Sequence, residues 1–231
     1  MNEVVTFDPI WEIKYSEGHT QLYPWDIVVS FIFRNYPRDK ERHEIKILEI
    51  GCGTGSNLWF AAREGFQVAG IDGSPSAIEY ATKRLTDEGL MGDLRVGDFT
   101  QLPFASDFFD LVIDRCAIVC CGLSAGKKAV SEVWRVLNVG GKFLFNPYKD
   151  RHSSYVAGKK GDDGLTLDIN EGTLTNAGQL CFYGRRDVEA LFVSEGWNLL
   201  SLEHMEWSEQ LHPKYTVHAE WRAIGEKRNV H

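Results

Sequence analysis

No apolar run in this chain of 231 residues reaches the roughly 18 positions that a membrane-spanning helix requires, so no membrane partner is expected. Met1 to Ile10 carries Glu3 and Asp8 and lacks the basic start and apolar core of a signal peptide, which points to a cytoplasmic protein. Cysteine occurs five times, at Cys52, Cys116, Cys120, Cys121 and Cys181, an odd set without a CxxC pair. Neither a disulfide framework nor a metal site is expected from it, and the thiols read as packing in a reducing compartment. Basic side chains are also in deficit. The 25 Lys and Arg against 33 Asp and Glu leave a net charge of -8, which opposes any partner recognised through phosphate charge, nucleic acid included. Internal repeats and low-complexity tracts are missing too. The length suits a single domain, 1–231, able to bury a sizeable core, and nothing assigns an oligomeric state.

What is present is an alternation. Short apolar runs at Ile45 to Ile50, Gln67 to Ile71, Leu94 to Val96, Leu111 to Ile113 and Lys142 to Asn146 read as buried strands of a parallel sheet. Between them, Ser56 to Glu64 reads as a helix closing at Gly65, and Ser74-Pro75-Ser76 opens another with a capping hydroxyl and a proline at the first helical position. Lys127 to Leu137 places Ala129, Val130, Val133, Trp134 and Leu137 on one face. Parallel neighbours need crossovers, so the expected fold is a doubly wound α/β sheet, with ligands beyond the carboxyl ends of its strands.

Two flanks and one insertion stand outside this alternation. Residues 1–44 form an N-terminal aromatic and helical cap: WEIKYSEGHTQLYPW from Trp11 to Trp25, then an apolar helix from Pro24 to Tyr36. Arg185 to Glu195 reads as helical, and Leu199 to His204 with Val217 to Gly225 as an antiparallel hairpin around Pro213. Residues 149–179 are long for a connection and read as a lid over the acceptor, with Leu165, Leu167, Ile169 and Leu174 alternating as in short strands.

The stretch Ile47 to Asn57, ILEIGCGTGSN, sets Gly51, Gly53 and Gly55 between a strand and a helix. Glycine there lets the main chain bend tightly and lie against a ligand, while the following helix points its free N–H groups at the same place. Asp72 ends the next strand about 20 residues on, where a carboxylate accepts hydrogen bonds from ribose hydroxyls. Asp98, beside Phe99 after the third strand, suits an adenine amino group and its flat face.

These residues resemble the successive motifs of class I S-adenosylmethionine-dependent methyltransferases: Glu49 to Gly55, Asp72, Gly97-Asp98-Phe99 with Leu102-Pro103-Phe104, Phe109 to Val112, and Leu137 to Gly141. The resemblance covers about Ile45 to Asn146. It implies a Rossmann-like, mostly parallel seven-stranded sheet with the last strand antiparallel, and S-adenosylmethionine as cofactor. It also implies roles by position. The loop of Gly51, Cys52, Gly53 and Gly55 lies against the methionine portion and Asp72 on the ribose, with Glu49, Asn57, Gly73 and Ser74 as further cofactor-binding residues. Asp98 and Phe99 meet the adenine, and Asp114, Arg115 and Cys116 lie beneath the methionine amino group. Two other readings share the glycine turn: a nicotinamide-dependent dehydrogenase and a cofactor-binding partner subunit without transfer. The first expects GxGxxG, whereas here the third glycine falls one place early and Ser56 takes the sixth position.

For the acceptor, a small molecule methylated on oxygen or nitrogen, the candidate bases are His152 and His19, with His204 behind them. Tyr15 and Trp25 offer ring faces to a sulfonium charge or, alternatively, pack the first helix onto the sheet. Trp25, Tyr148 and Arg151 are expected to touch the acceptor, with Lys159 and Lys160 as further cations.

Overall fold

In a computed structural model, described for residues 6–193, 196–211 and 216–229, the chain begins with helix α1 (Ile10–Ser16) and helix α2 (Asp26–Asn35). The alternation follows as β1 (Lys46–Ile50), α3 (Ser56–Arg63), β2 (Gln67–Asp72), α4 (Pro75–Asp87), β3 (Asp93–Val96), β4 (Phe109–Arg115), α5 (Leu123–Val136) and β5 (Leu137–Asn146). Then come α6 (Ser153–Ala157), β6 (Lys159–Lys160), β7 (Leu165–Leu167), β8 (Leu180–Cys181), α7 (Arg185–Leu191), β9 (Trp197–Glu209) and β10 (Thr216–Lys227).

The inner strands form where apolar residues run consecutively, because both faces of each strand are covered. Ile47 of β1 and Leu111 and Ile113 of β4 pack with α2, α3 and α4 on one side. Leu48, Ile50, Val112, Phe143 and Phe145 pack on the other with α5 and α7. In α5 the buried positions Ala125, Ala129, Val130, Val133 and Val136 recur at helical spacing and set its inward face.

The seven strands lie in the order β3-β2-β1-β4-β5-β10-β9, with the first five mutually parallel and β10 antiparallel to both neighbours. The doubly wound sheet with an antiparallel last strand is therefore observed. Chain order reverses between β1 and β4, and the carboxyl ends of those two strands carry Gly51 and Arg115. Crossover connections leave a crevice at such a switch point.

Several elements differ in extent from the sequence expectation. The hairpin strands run further at both ends, and Pro213 lies outside the described residues. The helix expected over Arg185 to Glu195 ends at Leu191, with Phe192 as its cap; Ser194 and Glu195 are outside the described residues. Of the alternating residues in the insertion, Leu165 and Leu167 lie in a strand, and Ile169 and Leu174 do not. β6, β7 and β8 instead make a separate small antiparallel sheet. Among the described residues no helix is long and apolar enough to cross a membrane.

Candidate active site

The turn after β1 uses all three glycines in the left-handed region, with φ of +61° at Gly51, +51° at Gly53 and +73° at Gly55. Only glycine adopts that conformation without steric cost. The space is equally restrictive: a Cβ on Gly51 would collide with the Ala117 methyl, and one on Gly53 would lie 2.6 Å from the Tyr15 hydroxyl. Gly55 then caps α3, whose first turn starts at Ser56.

Asp72 holds this turn. Its Oδ2 accepts the Gly53 amide at 2.8 Å and its Oδ1 the Ser74 amide at 2.9 Å. Burial raises its pKa and those two amides oppose the rise. Each oxygen keeps a further lone pair for a ligand hydroxyl. Ser74 caps α4 by accepting the Ala77 amide at 3.1 Å, the role its place before Pro75 predicts.

Two more buried acids stand behind the turn. Glu49 accepts the Asn57 side-chain amide at 2.6 Å, while its Oε2 has no partner, and burial lifts its pKa to about 8. Asp114 is fully buried, accepts the Ala117 and Ile118 amides at 3.0 and 2.9 Å, and leaves Oδ2 unpartnered; burial raises its pKa to about 6. Buried carboxylate oxygens without partners are costly, and they mark where a donor is expected.

In front of the turn lies a cavity of about 270 Å³. Gly51, Asp72, Gly73 and Phe99 form its wall on the side of β1 to β3. Arg115, Cys116, Ala117, Cys120 and Tyr148 form the side of β4 and β5. Tyr15, His19 and Trp25 from the N-terminal cap line it too, and Leu174, Ala177 and Leu180 come from the insertion and its exit. The cap and the insertion thus meet over one space.

The N-terminal strap is fastened down at several points. Glu12 accepts the hydroxyls of Ser74 and Ser76, the latter at 2.6 Å, at the start of α4, and these bonds lower its pKa. A carboxylate is favoured there by the free amides and positive dipole end of the helix. Asp8 accepts the Gln179 amide at 2.9 Å, Thr20 donates to Thr54 at 3.1 Å, and the Trp25 amide donates to Asn57 at 3.0 Å. The guanidinium of Arg115 lies 4.1 Å from the Trp25 ring centroid.

The sequence-derived residues therefore divide by place. Tyr15, His19, Trp25, Gly51, Asp72, Gly73, Phe99, Arg115, Cys116 and Tyr148 reach the cavity wall. Glu49, Cys52, Gly53, Gly55, Asn57, Ser74 and Asp114 are buried and off it. Asp98 is exposed and off the wall; its carboxylate accepts the Thr6 hydroxyl at 2.6 Å and the Thr100 amide at 2.7 Å. Arg151 is exposed and faces Glu206 at 3.4 Å, away from the cavity. His152 is fully buried, off the wall, and caps α6 through the Ser154 amide at 3.0 Å. Its Nε2 lies 3.2 Å from both His218 Nδ1 and Thr173 Oγ1, and burial lowers its pKa to about 3. His204 ends up beside Glu206 at 3.4 Å on β9.

Sequence reasoning missed Thr6, Phe7, Glu12 and Cys120. Phe7 packs against Gly73 and Cys120 joins the wall, but neither has a spacing signal, because both reach the site by tertiary contact. Glu12 lacks one as well, since its partners lie 62 and 64 positions away.

A family model described as "Methyltransferase domain" matches residues 48–145, the span from β1 to the end of β5. Over that span the chain is similar to a methyltransferase domain. Over 108 residues the chain is 32% identical to the human thiol S-methyltransferase TMT1B, covering 44% of this chain and 42% of that protein. Over 106 residues it is 37% identical to the ubiquinone/menaquinone biosynthesis C-methyltransferase UbiE of Bordetella parapertussis, covering 45% and 40%. The chain spans about two fifths of the length of these curated relatives. A solved S-adenosylmethionine-dependent methyltransferase of Methanosarcina mazei superposes with a TM-score of 0.71 at 18% identity, over 90% of this chain and all of that one. The matched span 48–145 contains the glycine turn, Asp72, Phe99 and Asp114, whereas the cap and the insertion lie outside it.

The residues present fit S-adenosylmethionine. Gly51 presents bare main chain to the cavity, Asp72 lines it with lone pairs free, and Glu49 and Asp114 keep unpartnered oxygens behind the wall.

Proposed function

We propose that the chain transfers a methyl group from S-adenosylmethionine to an oxygen or nitrogen of a small-molecule acceptor by in-line displacement, in a reducing, cytoplasmic setting. One observation carries the reading: a left-handed glycine turn tied to Asp72 opens into a cavity closed by aromatic residues from the cap and by the insertion. The bound cofactor supplies an activated methyl group on a sulfonium. The protein's own tasks are to orient and to exclude water, and orientation alone is worth on the order of 7 kcal/mol or more in favourable cases.

In this reading Gly51 meets the methionine portion by backbone contact while Gly53 and Gly55 shape the turn behind it, Asp72 holds the ribose, and Phe99 meets the adenine. Asp98 acts through Thr6, fastening the strap. Tyr15, Trp25 and Tyr148 enclose the acceptor, and the insertion 149–179 forms the remaining wall. His19 is the candidate base, because it is the histidine on the cavity wall and its ring, 5.8 Å from that of Tyr15, is exposed enough to exchange protons. His152 positions the insertion instead of touching the acceptor.

Calorimetry with S-adenosylhomocysteine and NAD, followed by incubation with methyl-labelled cofactor and a metabolite extract, tests this. The expected result is binding of the first ligand only and a labelled small-molecule product. Binding of NAD in its place, or tight cofactor binding with no product from any acceptor class, would overturn it. His19→Ala is expected to lower turnover at constant cofactor affinity.

A further inference from the structure

Arg115 ends β4 on the floor of the cavity, and its side chain retains only 10% of its exposure. A guanidinium has five N–H donors, stays charged, and is costly to bury without strong acceptors. The acceptors it has are weak. Nη1 donates to the thiol of Cys116, which burial pushes up to about 12 and so keeps neutral. The Tyr148 hydroxyl is a second neutral partner, and Nε has none. The nearest carboxylate beyond the strand, Glu220, stands 3.8 Å from Nη2, outside hydrogen-bond reach, and Arg222 already holds it at 2.9 Å. One buried carboxylate on β10 is thus shared between two guanidiniums, and the closer bond belongs to Arg222.

Position adds a second constraint. Asp72, Gly73 and Phe99 reach the cavity from β2 and β3, on one side of the switch point. Arg115 lies on the other side, between Tyr148, which follows β5, and Glu220 of β10. Its flat face is braced by Trp25, which leaves the edge of the fork as the direction for a ligand. We propose that Arg115 receives a carboxylate of the methyl acceptor, so that the acceptors of this protein are small organic acids. A carboxylate matches the planar fork and replaces neutral acceptors with a charged one.

The proposal rests on the methyl-transfer reading, and the donor's own carboxylate offers the same chemistry, so the experiment separates the two. The protein loaded with S-adenosylhomocysteine is titrated with benzoate and with its neutral counterpart benzamide. Benzoate is expected to bind about tenfold more tightly. Arg115→Gln abolishes that preference and Arg115→Lys keeps part of it, and each variant is expected to weaken benzoate more than it weakens S-adenosylhomocysteine. Equal response to the two probes in the unaltered protein, including no response, overturns the proposal. It is also overturned if Arg115→Gln weakens S-adenosylhomocysteine about tenfold but leaves its decarboxylated analogue, 5′-deoxy-5′-(3-aminopropylthio)adenosine, unaffected, since the donor would then occupy Arg115. Should Arg115→Gln not fold, the comparison of Arg115→Lys with the unaltered protein carries the same readout. Failure of the unaltered protein to bind S-adenosylhomocysteine at all sinks the methyl-transfer reading, whereas the benzoate preference of the free protein still reports on Arg115.

Discussion

The Asp72 carboxylate and the Gly53 amide meet at 2.8 Å, so the acid proposed to hold the ligand also holds the glycine turn beside the cavity. Asp72→Ala removes both functions at once. Because a hydrogen bond to a charged group contributes about 1.5 to 3 kcal/mol, S-adenosylhomocysteine affinity is expected to fall by an order of magnitude or more in calorimetry. Unchanged affinity would remove Asp72 from the site.

Gly51→Ala is expected to destabilise the whole domain. The new methyl meets Ala117, and the backbone stays at φ +61°. The left-handed conformation costs roughly 1 to 2 kcal/mol and overpacking about as much again, so urea denaturation should show a loss of at least about 2 kcal/mol. Adding Ala117→Gly should recover the steric part only; full recovery would show that the backbone conformation carries no cost.

Cofactor binding is expected to release protons near neutral pH. Glu49, lifted to about 8, holds its proton at pH 7, and Asp114, lifted to about 6, holds part of one. A ligand ammonium near their free oxygens lowers both values, so protons leave on binding. Calorimetry of S-adenosylhomocysteine in buffers of different ionisation enthalpy measures this, and Glu49→Gln should remove most of the release.

His152 makes stability depend on pH in the acid range. Its folded pKa of about 3 lies below the ordinary 6.5, so between those values the unfolded chain binds the proton and the folded one does not. Stability therefore falls as pH drops through that window, by at most about 1.4 kcal/mol per pH unit, and levels off below it. His218, also lowered by burial, adds in the same direction. His152→Asn keeps a capping side chain for α6 and should flatten the slope; an unaltered slope would assign it to other groups.

The strap predicts a kinetic effect. Glu12→Ala removes the acceptor of the Ser74 and Ser76 hydroxyls, while α1 keeps its other anchors at Asp8 and Thr20. Stopped-flow displacement of S-adenosylhomocysteine should show faster release with little change in the folding transition. An unchanged release rate would mean that α1 does not gate the site.

The sheet and the glycine turn were legible in the chain because both are local. Apolar runs covered on two faces specify inner strands, and a glycine turn needs its residues adjacent in the chain. Gly51, Gly53, Gly55, Asp72 and Phe99 stand at strand ends for that reason, and the topology brings those ends together. The acceptor half was different. His152 was expected as a base facing the acceptor and is a fully buried helix cap, because β10 and Thr173 close over it from distant parts of the chain. Glu12, Phe7 and Cys120 carried no periodic signal, and Arg151 points outward although a neighbouring stretch lines the cavity. Only tertiary packing decided which aromatic and charged residues of the cap and insertion face inward. The cap's positions depend on contacts between residues 32 to 171 positions apart, which no short window of sequence encodes.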